Sequence, residues 1–252
     1  MDGMDLFAKA LTQLYKTGKA RLYVERDDHH NNLEDLGWYL TTFPQFPLFE
    51  RQALKFARGR VLDAGCAAGR HSLYLQNCGL SVTAIDVSPQ MVELARTRGV
   101  KDVRVADVCC RLPFRERAFD TVILFGNNLG LGGTVPRFRR MLRELYRVTS
   151  PRGRILATTR QPSTTDPAHR AYLQQNIARG HAPGQIRLRL IFNDRRGPWF
   201  DLLLLAPTDL MQLASQEGWK LADVFTTNLE QGYAVVMEKM KSGEGKTRRG
   251  KI

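Results

Sequence analysis

The stretch Val61-Leu62-Asp63-Ala64-Gly65-Cys66-Ala67-Ala68-Gly69-Arg70-His71 joins a short apolar run to a turn of small residues and then to a helical pattern. Small side chains at such a turn let the main chain come into van der Waals contact with a ligand, and the helix that follows offers free N–H groups. That chemistry suits a nucleotide-like ligand. A dinucleotide fingerprint would read G-x-G-x-x-G, with phosphate over the helix start. Here the spacing is Gly65-x-Ala67-x-Gly69, and an acid, Asp63, stands two residues before the first glycine. A second acid, Asp86, lies 23 positions after Asp63 and ends the next apolar run in Ala84-Ile85-Asp86-Val87-Ser88-Pro89. A carboxylate at that place accepts hydrogen bonds from vicinal ribose hydroxyls.

Taken in order, these segments resemble the class I S-adenosylmethionine-dependent methyltransferases. Asp63 to Gly69 is similar to their motif I, an acid followed by alternating glycines, with Ala67 standing where that pattern usually has Gly. Leu112-Pro113-Phe114 followed by Phe119-Asp120 resembles the "LPF…FD" segment of small-molecule members, in which Phe119 and Asp120 read as structural. The resemblance implies S-adenosylmethionine as cofactor and assigns it a wall. Asp63 and Gly65 surround the methionine part, Asp86 holds the ribose, and Asp107 faces the adenine amino group. Cys66, Ala67, Gly69, Val87, Val108, Phe125 and Gly126 complete the wall, and Asn127 is placed to touch cofactor or acceptor. The likeness covers residues 50–158 strongly and 207–238 as topology; the first 45 residues and 159–206 carry no transferable motif.

Methyl transfer from a sulfonium is an in-line displacement with a neutral leaving group, so the protein supplies alignment, desolvation and, for some acceptors, a base. Amine methylation of bases or glutamine in this superfamily uses Asn or Asp followed by Pro-Pro and an aromatic; the text here is Asn127-Asn128-Leu129-Gly130, which disfavours that subclass. No Pro-Cys pair is present for a cysteine-dependent reaction on a base. Candidate bases are His29, His30 and His181, in segments expected to overhang the sheet edge, although a lone His in a polar loop is usually only solvated. His71 reads as a packing or cofactor-adjacent residue. Trp38, Tyr39, Trp199 and Phe200 could wall an acceptor pocket or simply pack in a core.

The elements needed to position these residues follow from periodicity. Short apolar runs at Val61–Asp63, Val82–Ile85, Val103–Val105, Thr121–Leu124 and Arg154–Ala157 alternate with helical segments, the mark of βαβ units and a parallel sheet. Helices are expected over Pro89–Arg98, with Ser88 as cap, and over Val135–Val148, with Phe138, Met141, Leu142, Leu145 and Tyr146 inward. Leu221–Thr226 and Tyr233–Met237 would close the sheet after a helix capped by Thr208. The predicted fold is α/β: a doubly wound, seven-stranded, mostly parallel, Rossmann-like sheet with the last strand antiparallel. To it are added an N-terminal helical lid and a hairpin, Gln185–Phe192 with Trp199–Leu205, inserted after strand 5. One domain would span 1–238, with residues 1–50 as a helical or loop-like lid, 159–206 as an insertion over the acceptor, and 239–252 as a basic disordered tail.

With 252 residues and 43% hydrophobic composition the chain can bury a full α/β core. The absence of a long apolar run or a basic, apolar leader leads to the expectation of a soluble, cytoplasmic protein. Cys66, Cys78, Cys109 and Cys110 lack metal-ligand spacing, so neither metal nor disulfide is assigned, and the adjacent Cys109 and Cys110 read as two buried small side chains. A net charge of +13 raises nucleic acid as a partner. Much of it comes from the tail, starting at Lys239, and from Arg137, Arg139, Arg140, Arg143 and Arg147, expected as a solvated helix face. Three functions therefore stay open: a small-molecule methyltransferase, an RNA methyltransferase, or a non-catalytic cofactor-binding relative.

Overall fold

The computed structural model describes residues 3–162, 166–228 and 232–240. In chain order the chain forms α1 (Gly3–Thr17), β1 (Leu22–Arg26), β2 (Asn31–Glu34), α2 (Leu48–Leu54), β3 (Arg60–Ala64), α3 (Arg70–Asn77), β4 (Ser81–Asp86) and α4 (Pro89–Thr97). It continues with β5 (Asp102–Val105), β6 (Phe119–Leu124), α5 (Val135–Val148), β7 (Thr149–Thr159), α6 (Pro167–Ala178), β8 (Gln185–Phe192), β9 (Arg195–Arg196) and β10 (Phe200–Leu203). It ends with α7 (Pro207–Gln216), β11 (Trp219–Asn228) and β12 (Gly232–Lys239). Among the described residues no helix is long and apolar enough to cross a membrane.

The main sheet has seven strands in the order β11-β12-β7-β6-β3-β4-β5. β3, β4, β5, β6 and β7 run parallel, and β12 is antiparallel to both β7 and β11. The winding reverses between β3 and β6, so the carboxyl ends of β3, β4, β5 and β6 open on one crevice, where ligands of open α/β sheets bind. α5 covers one face with Phe138, Met141, Leu142 and Leu145 wholly buried. Tyr146, expected inward, is 37% exposed and meets the buried Trp219 edge-on at 5.6 Å. Asp120 is structural, accepting from the Arg60 main-chain N–H and side-chain Nε at 3.1 and 3.0 Å, which holds its carboxyl down at about 2.

The segment expected as a loop-like lid contains two strands. β1 pairs with β2 and with β8, while β8 also pairs with β10 and the short β9, giving a second, antiparallel sheet in the order β10-β8-β1-β2. The predicted hairpin exists, with its second strand trimmed to Phe200–Leu203. β1 escapes local reading because one of its partners, β8, lies some 160 residues away, as in the pair Val24 to Leu190, and β2 joins the sheet only through β1; pairing across a sheet overrides weak strand propensity. α7 starts one residue early with Ala206 at its cap and no side-chain cap bond, because Pro207 occupies the first turn and makes Thr208 helical.

Glycines seat the second sheet on the first. A Cβ on Gly130 would come within 2.4 Å of the Leu203 carbonyl oxygen, and one on Gly133 within 2.8 Å of the Asp201 carbonyl oxygen. The turn after β6 thus lies directly under β10. Lys239, assigned above to the tail, closes β12 and donates to the carbonyls of Tyr146 and Thr149 at 2.6 and 2.5 Å; the rest of that tail, residues 241–252, lies outside the described residues. Gly130→Ala should force β10 off its seat and lower stability by about 1–3 kcal/mol, the usual effect of overpacking. Chemical denaturation of the two proteins measures it, and an unchanged midpoint would contradict this packing.

Candidate functional site

The turn after β3 is held on the end of β4. The main-chain N–H groups of Gly65 and Cys66 both donate to the Ile85 carbonyl, at 2.8 and 3.0 Å, and the Ala67 N–H donates to Asp86 Oδ2 at 3.0 Å. The other oxygen of Asp86 accepts from the Ser88 N–H at 3.0 Å, while the Ser88 hydroxyl caps α4. Ala67 takes a left-handed φ of 46°, the conformation its usual glycine adopts freely, and this hydrogen bond helps to hold it there. Burial pushes the Asp86 carboxyl above its usual range. Asn128 braces the opposite side, donating to the carbonyls of Ala64 and Gly65 at 3.0 and 2.7 Å; a Cβ on Gly65 would strike its amide nitrogen at 2.5 Å.

A cavity of about 860 Å³ opens on this turn. Its floor brings together Gly65, Cys66, Ala67, Asp86, Val87, Asp107, Val108, Phe125, Gly126 and Asn127, drawn from four strand ends. Asp63 and Gly69 do not reach it. Asp63 is buried behind the turn, accepts from the Ser72 hydroxyl at 2.5 Å, and is pushed up by burial. Gly69 caps α3 with a φ of 77° and lies so close to Val100 that a Cβ would meet it at 2.4 Å. Both shape the turn from outside the wall.

Asp107 forms a turn of its own, Oδ1 accepting from the Cys109 N–H at 2.8 Å and Oδ2 from the Cys110 thiol at 3.3 Å. Cys109 lines the cavity and burial pushes its thiol up to about 12; Cys110, expected buried, is exposed because that turn points it outward. On the arginine face of α5, Arg137, Arg140 and Arg143 are exposed, as expected of a solvated face, and several of its members are also engaged. Arg139 and Arg143 pair with Glu217 and Arg147 with Glu144, while Arg137 lines the cavity.

All three candidate bases are exposed; His30 lines the cavity, and His29 and His181 do not. Sequence reasoning passed over His169, which lines the cavity from α6. Its Nδ1 lies 2.5 Å from an Arg26 nitrogen that can only donate, so the ring accepts there; burial beside that guanidinium pushes its pKa down. Arg26 also forms a bidentate pair with Asp28 and stacks on Tyr172 at 4.4 Å.

A buried ion cluster forms another part of the wall. Glu50 accepts from Arg70 through both oxygens at 3.1 and 3.0 Å and contacts His71 Nε2 at 3.1 Å. The Arg70 guanidinium sits 4.3 Å from the Trp38 ring and 4.8 Å from Phe46, and donates to the Thr41 hydroxyl. The His71 ring lies between Phe46 and Phe125, each at 4.8 Å. Arg70 and His71 both face the cavity, so residues 36–50 are tied to the first turn of α3 exactly where the wall is built. Glu50 had no local signal, since its partners are 20 and 21 residues away.

The floor suits an adenosyl group: a buried carboxylate with one N–H on each oxygen retains lone pairs for a vicinal diol, and Gly65 keeps the main chain bare beside it. Residues 61–153 match the family described as "Methyltransferase domain". In the solved S-adenosylmethionine-dependent methyltransferase from Bacteroides fragilis in complex with S-adenosyl-L-homocysteine, the match covers 96% of this chain and 97% of that one, with a TM-score of 0.80 and 27% identity. Residues 61–153 thus match a methyltransferase domain, and nearly the whole chain shares the fold of a solved S-adenosylmethionine-dependent methyltransferase. Curated relatives include malonyl-[acyl-carrier protein] O-methyltransferase of Erwinia billingiae, 37% identical over 100 residues, 40% of this chain and 38% of that protein. Ubiquinone biosynthesis O-methyltransferase of Xanthomonas oryzae pv. oryzae is 29% identical over 136 residues, 48% of this chain and 55% of that one. The chain thus spans between about two fifths and just over half of the length of these curated relatives.

Glu50→Ala should be among the more damaging substitutions in the wall, because it leaves a buried guanidinium without its counter-charge, an effect of about 3–5 kcal/mol. Equilibrium unfolding checks it. Glu50→Ala combined with Arg70→Met should recover part of the loss, since the two residues act as a pair.

Proposed function

We propose that the protein transfers the methyl group of S-adenosylmethionine to an oxygen of a small-molecule acceptor held between the floor of the main sheet and the second sheet. The observation that carries this reading is the single cavity of about 860 Å³ that joins the strand-end floor to the underside of the second sheet, within the roughly 300–1,000 Å³ range of small-molecule sites. The names of the two curated relatives favour oxygen as the nucleophile. When bound, the cofactor supplies a methyl group on a cationic sulfonium whose departure leaves a neutral thioether.

The chain's own residues then have separable tasks. Asp86 would accept from the ribose hydroxyls, Asp107 and Val108 would border the adenine, and Gly65, Cys66 and Ala67 would lie along the methionine part. Asp63 and Gly69 act through the turn, Asp63 by holding Ser72 and Gly69 by packing on Val100. Phe125, Gly126 and Asn127 would separate cofactor from acceptor, with His30 on the wall as the histidine candidate for taking a proton from the acceptor hydroxyl. Residues 22–34 together with 185–203 form the lid that excludes water, which strengthens every polar interaction in the site. In this reading residues 3–240 act as one unit around one cavity.

Replacing Asp86 by Ala removes a charged hydrogen-bond acceptor worth about 1.5–3 kcal/mol, which is roughly 10- to 150-fold in affinity. Isothermal titration with S-adenosylmethionine should show that loss, the melting temperature should fall as well because the Ala67 and Ser88 N–H groups lose their acceptor, and an unchanged affinity would remove Asp86 from the ribose site. Because burial raises the Asp86 carboxyl, wild-type affinity should already decline on acidification while the pH is still above 3.8, the ordinary value of an aspartate. The ionised form is the one that binds, so the decline follows protonation. Asp86→Asn should flatten that limb of the titration.

A further inference from the structure

The second sheet is amphipathic, and its inner face says what kind of molecule it covers. Along β1, β8 and β10 the residues facing the cavity alternate with those facing out: Leu22 and Val24, then Ile186, Leu188 and Leu190, then Phe200 and Leu202 line it. These seven are apolar, and Arg26 at the end of β1 and Asp201 of β10 line the cavity beside them. On the outer face Glu25 pairs with Arg189, and Arg189 stacks on Trp199 at 4.3 Å. The inner face is divided lengthwise. At one end Leu22, Leu190 and Phe192 pack with Leu6 and Leu11 of α1. At the other end, Ile186, Leu188 and Leu202 are half-buried, and among the described residues none of the three belongs to a packed hydrophobic cluster.

Three aliphatic side chains aimed into an enclosed space without core partners form an apolar surface that water wets poorly. The cofactor floor is elsewhere, at the strand ends that carry Asp86 and Asp107. The polar residues of this sheet that reach the cavity are Arg26, Asn32, Glu34 and Asp201; Arg26, the cross-strand partner of Leu188, is held by Asp28 and His169, and Glu34 accepts from the Tyr39 hydroxyl at 2.8 Å. Nothing on the aliphatic patch provides hydrogen bonds or cations for a sugar-phosphate backbone, which nucleic-acid recognition requires.

We propose that Ile186, Leu188 and Leu202, flanked by Val24 and Phe200, are the acceptor subsite, and that the acceptor is a compact molecule with an uncharged apolar body, a ring system or a short hydrocarbon chain, that lies against β8 and β10. This proposal rests on the methyltransferase reading above. The body packs against the second sheet and leaves its nucleophilic oxygen turned to the floor at Phe125 and Asn127. Gly130 and Gly133 hold β10 close enough to the floor for one small molecule to touch both surfaces.

The test uses the whole protein saturated with S-adenosyl-L-homocysteine and 2-naphthol as an uncharged apolar probe, with binding measured by calorimetry. Wild type should bind one equivalent of 2-naphthol, and Leu188→Asn and Leu202→Asn should each weaken that binding at least tenfold while affinity for S-adenosyl-L-homocysteine stays within twofold. Retained S-adenosyl-L-homocysteine affinity also certifies that each variant is folded. A third variant, Ile186→Phe, adds bulk without polarity and should likewise reduce 2-naphthol affinity by crowding the subsite. Undiminished 2-naphthol affinity in all three variants, or no 2-naphthol binding by a wild type that does bind S-adenosyl-L-homocysteine, would overturn the subsite. Loss of binding to a fluorescein-labelled RNA oligomer in Leu188→Asn and Leu202→Asn, with 2-naphthol unaffected, would transfer the surface to nucleic acid and overturn it as well. Failure of wild type to bind S-adenosyl-L-homocysteine would instead strike at the methyltransferase reading itself.

Discussion

The Asp86 carboxylate is the constraint around which the site is assembled. Its two oxygens hold the Ala67 N–H on one side and the Ser88 N–H on the other, so one buried group joins the turn after β3 to the start of α4. The turn cannot drift from β4 while the Ile85 carbonyl also receives two of its N–H groups. Burial of that carboxylate costs desolvation, which the two main-chain donors offset in part. The result is an acceptor group aimed at a crevice where the winding of the sheet reverses, with bare main chain beside it.

A second buried acid does comparable work on the N-terminal side. Glu50 comes from α2, yet its carboxylate serves Arg70 and His71 from the first turn of α3. The guanidinium in turn gathers Trp38, Phe46 and Thr41 from the segment before α2. A single removed partner would leave a charge stranded in a place with little water, so this tie is strong in one direction only: it is costly to break, while its net contribution to stability when intact is small. Its consequence is positional, because it makes residues 36–50 part of the cavity wall.

The second sheet completes the enclosure from two segments that are distant in sequence. β1 and β2 precede the main sheet and β8 to β10 follow its parallel part, so the sheet joins segments some 160 residues apart. Its outer face carries the Glu25–Arg189 pair, while its inner face is aliphatic along β8 and polar at Arg26, Asn32 and Glu34 of β1 and β2. The glycines at 130 and 133 set the distance between this cover and the floor. Fold and cavity are therefore parts of one arrangement, in which a small-residue turn below and an apolar sheet above define what can enter.

The sequence by itself determined the main sheet and the likeness to methyltransferases. Apolar runs alternating with helical periods encode βαβ units locally, and the order of Asp63, Gly65, Asp86 and Asp107 records where three strand ends must meet. Ser88, with Pro89 after it, announced α4, because capping is a matter of adjacent residues. What the tertiary structure alone decided depends on partners far apart in the chain. β1 and β2 were not read as strands, because β1 depends on the distant β8 and β2 joins the sheet only through β1. Glu50 and His169 carried no signal because their meaning lies in Arg70 and Arg26. Asp63 and Gly69 belong to the motif yet stand behind the wall, since a motif preserves the spacing of a turn and not the direction in which each side chain faces. The aliphatic patch of Ile186, Leu188 and Leu202 was legible as strand, but whether that face met core, solvent or a cavity depended on how α1 covers only part of it.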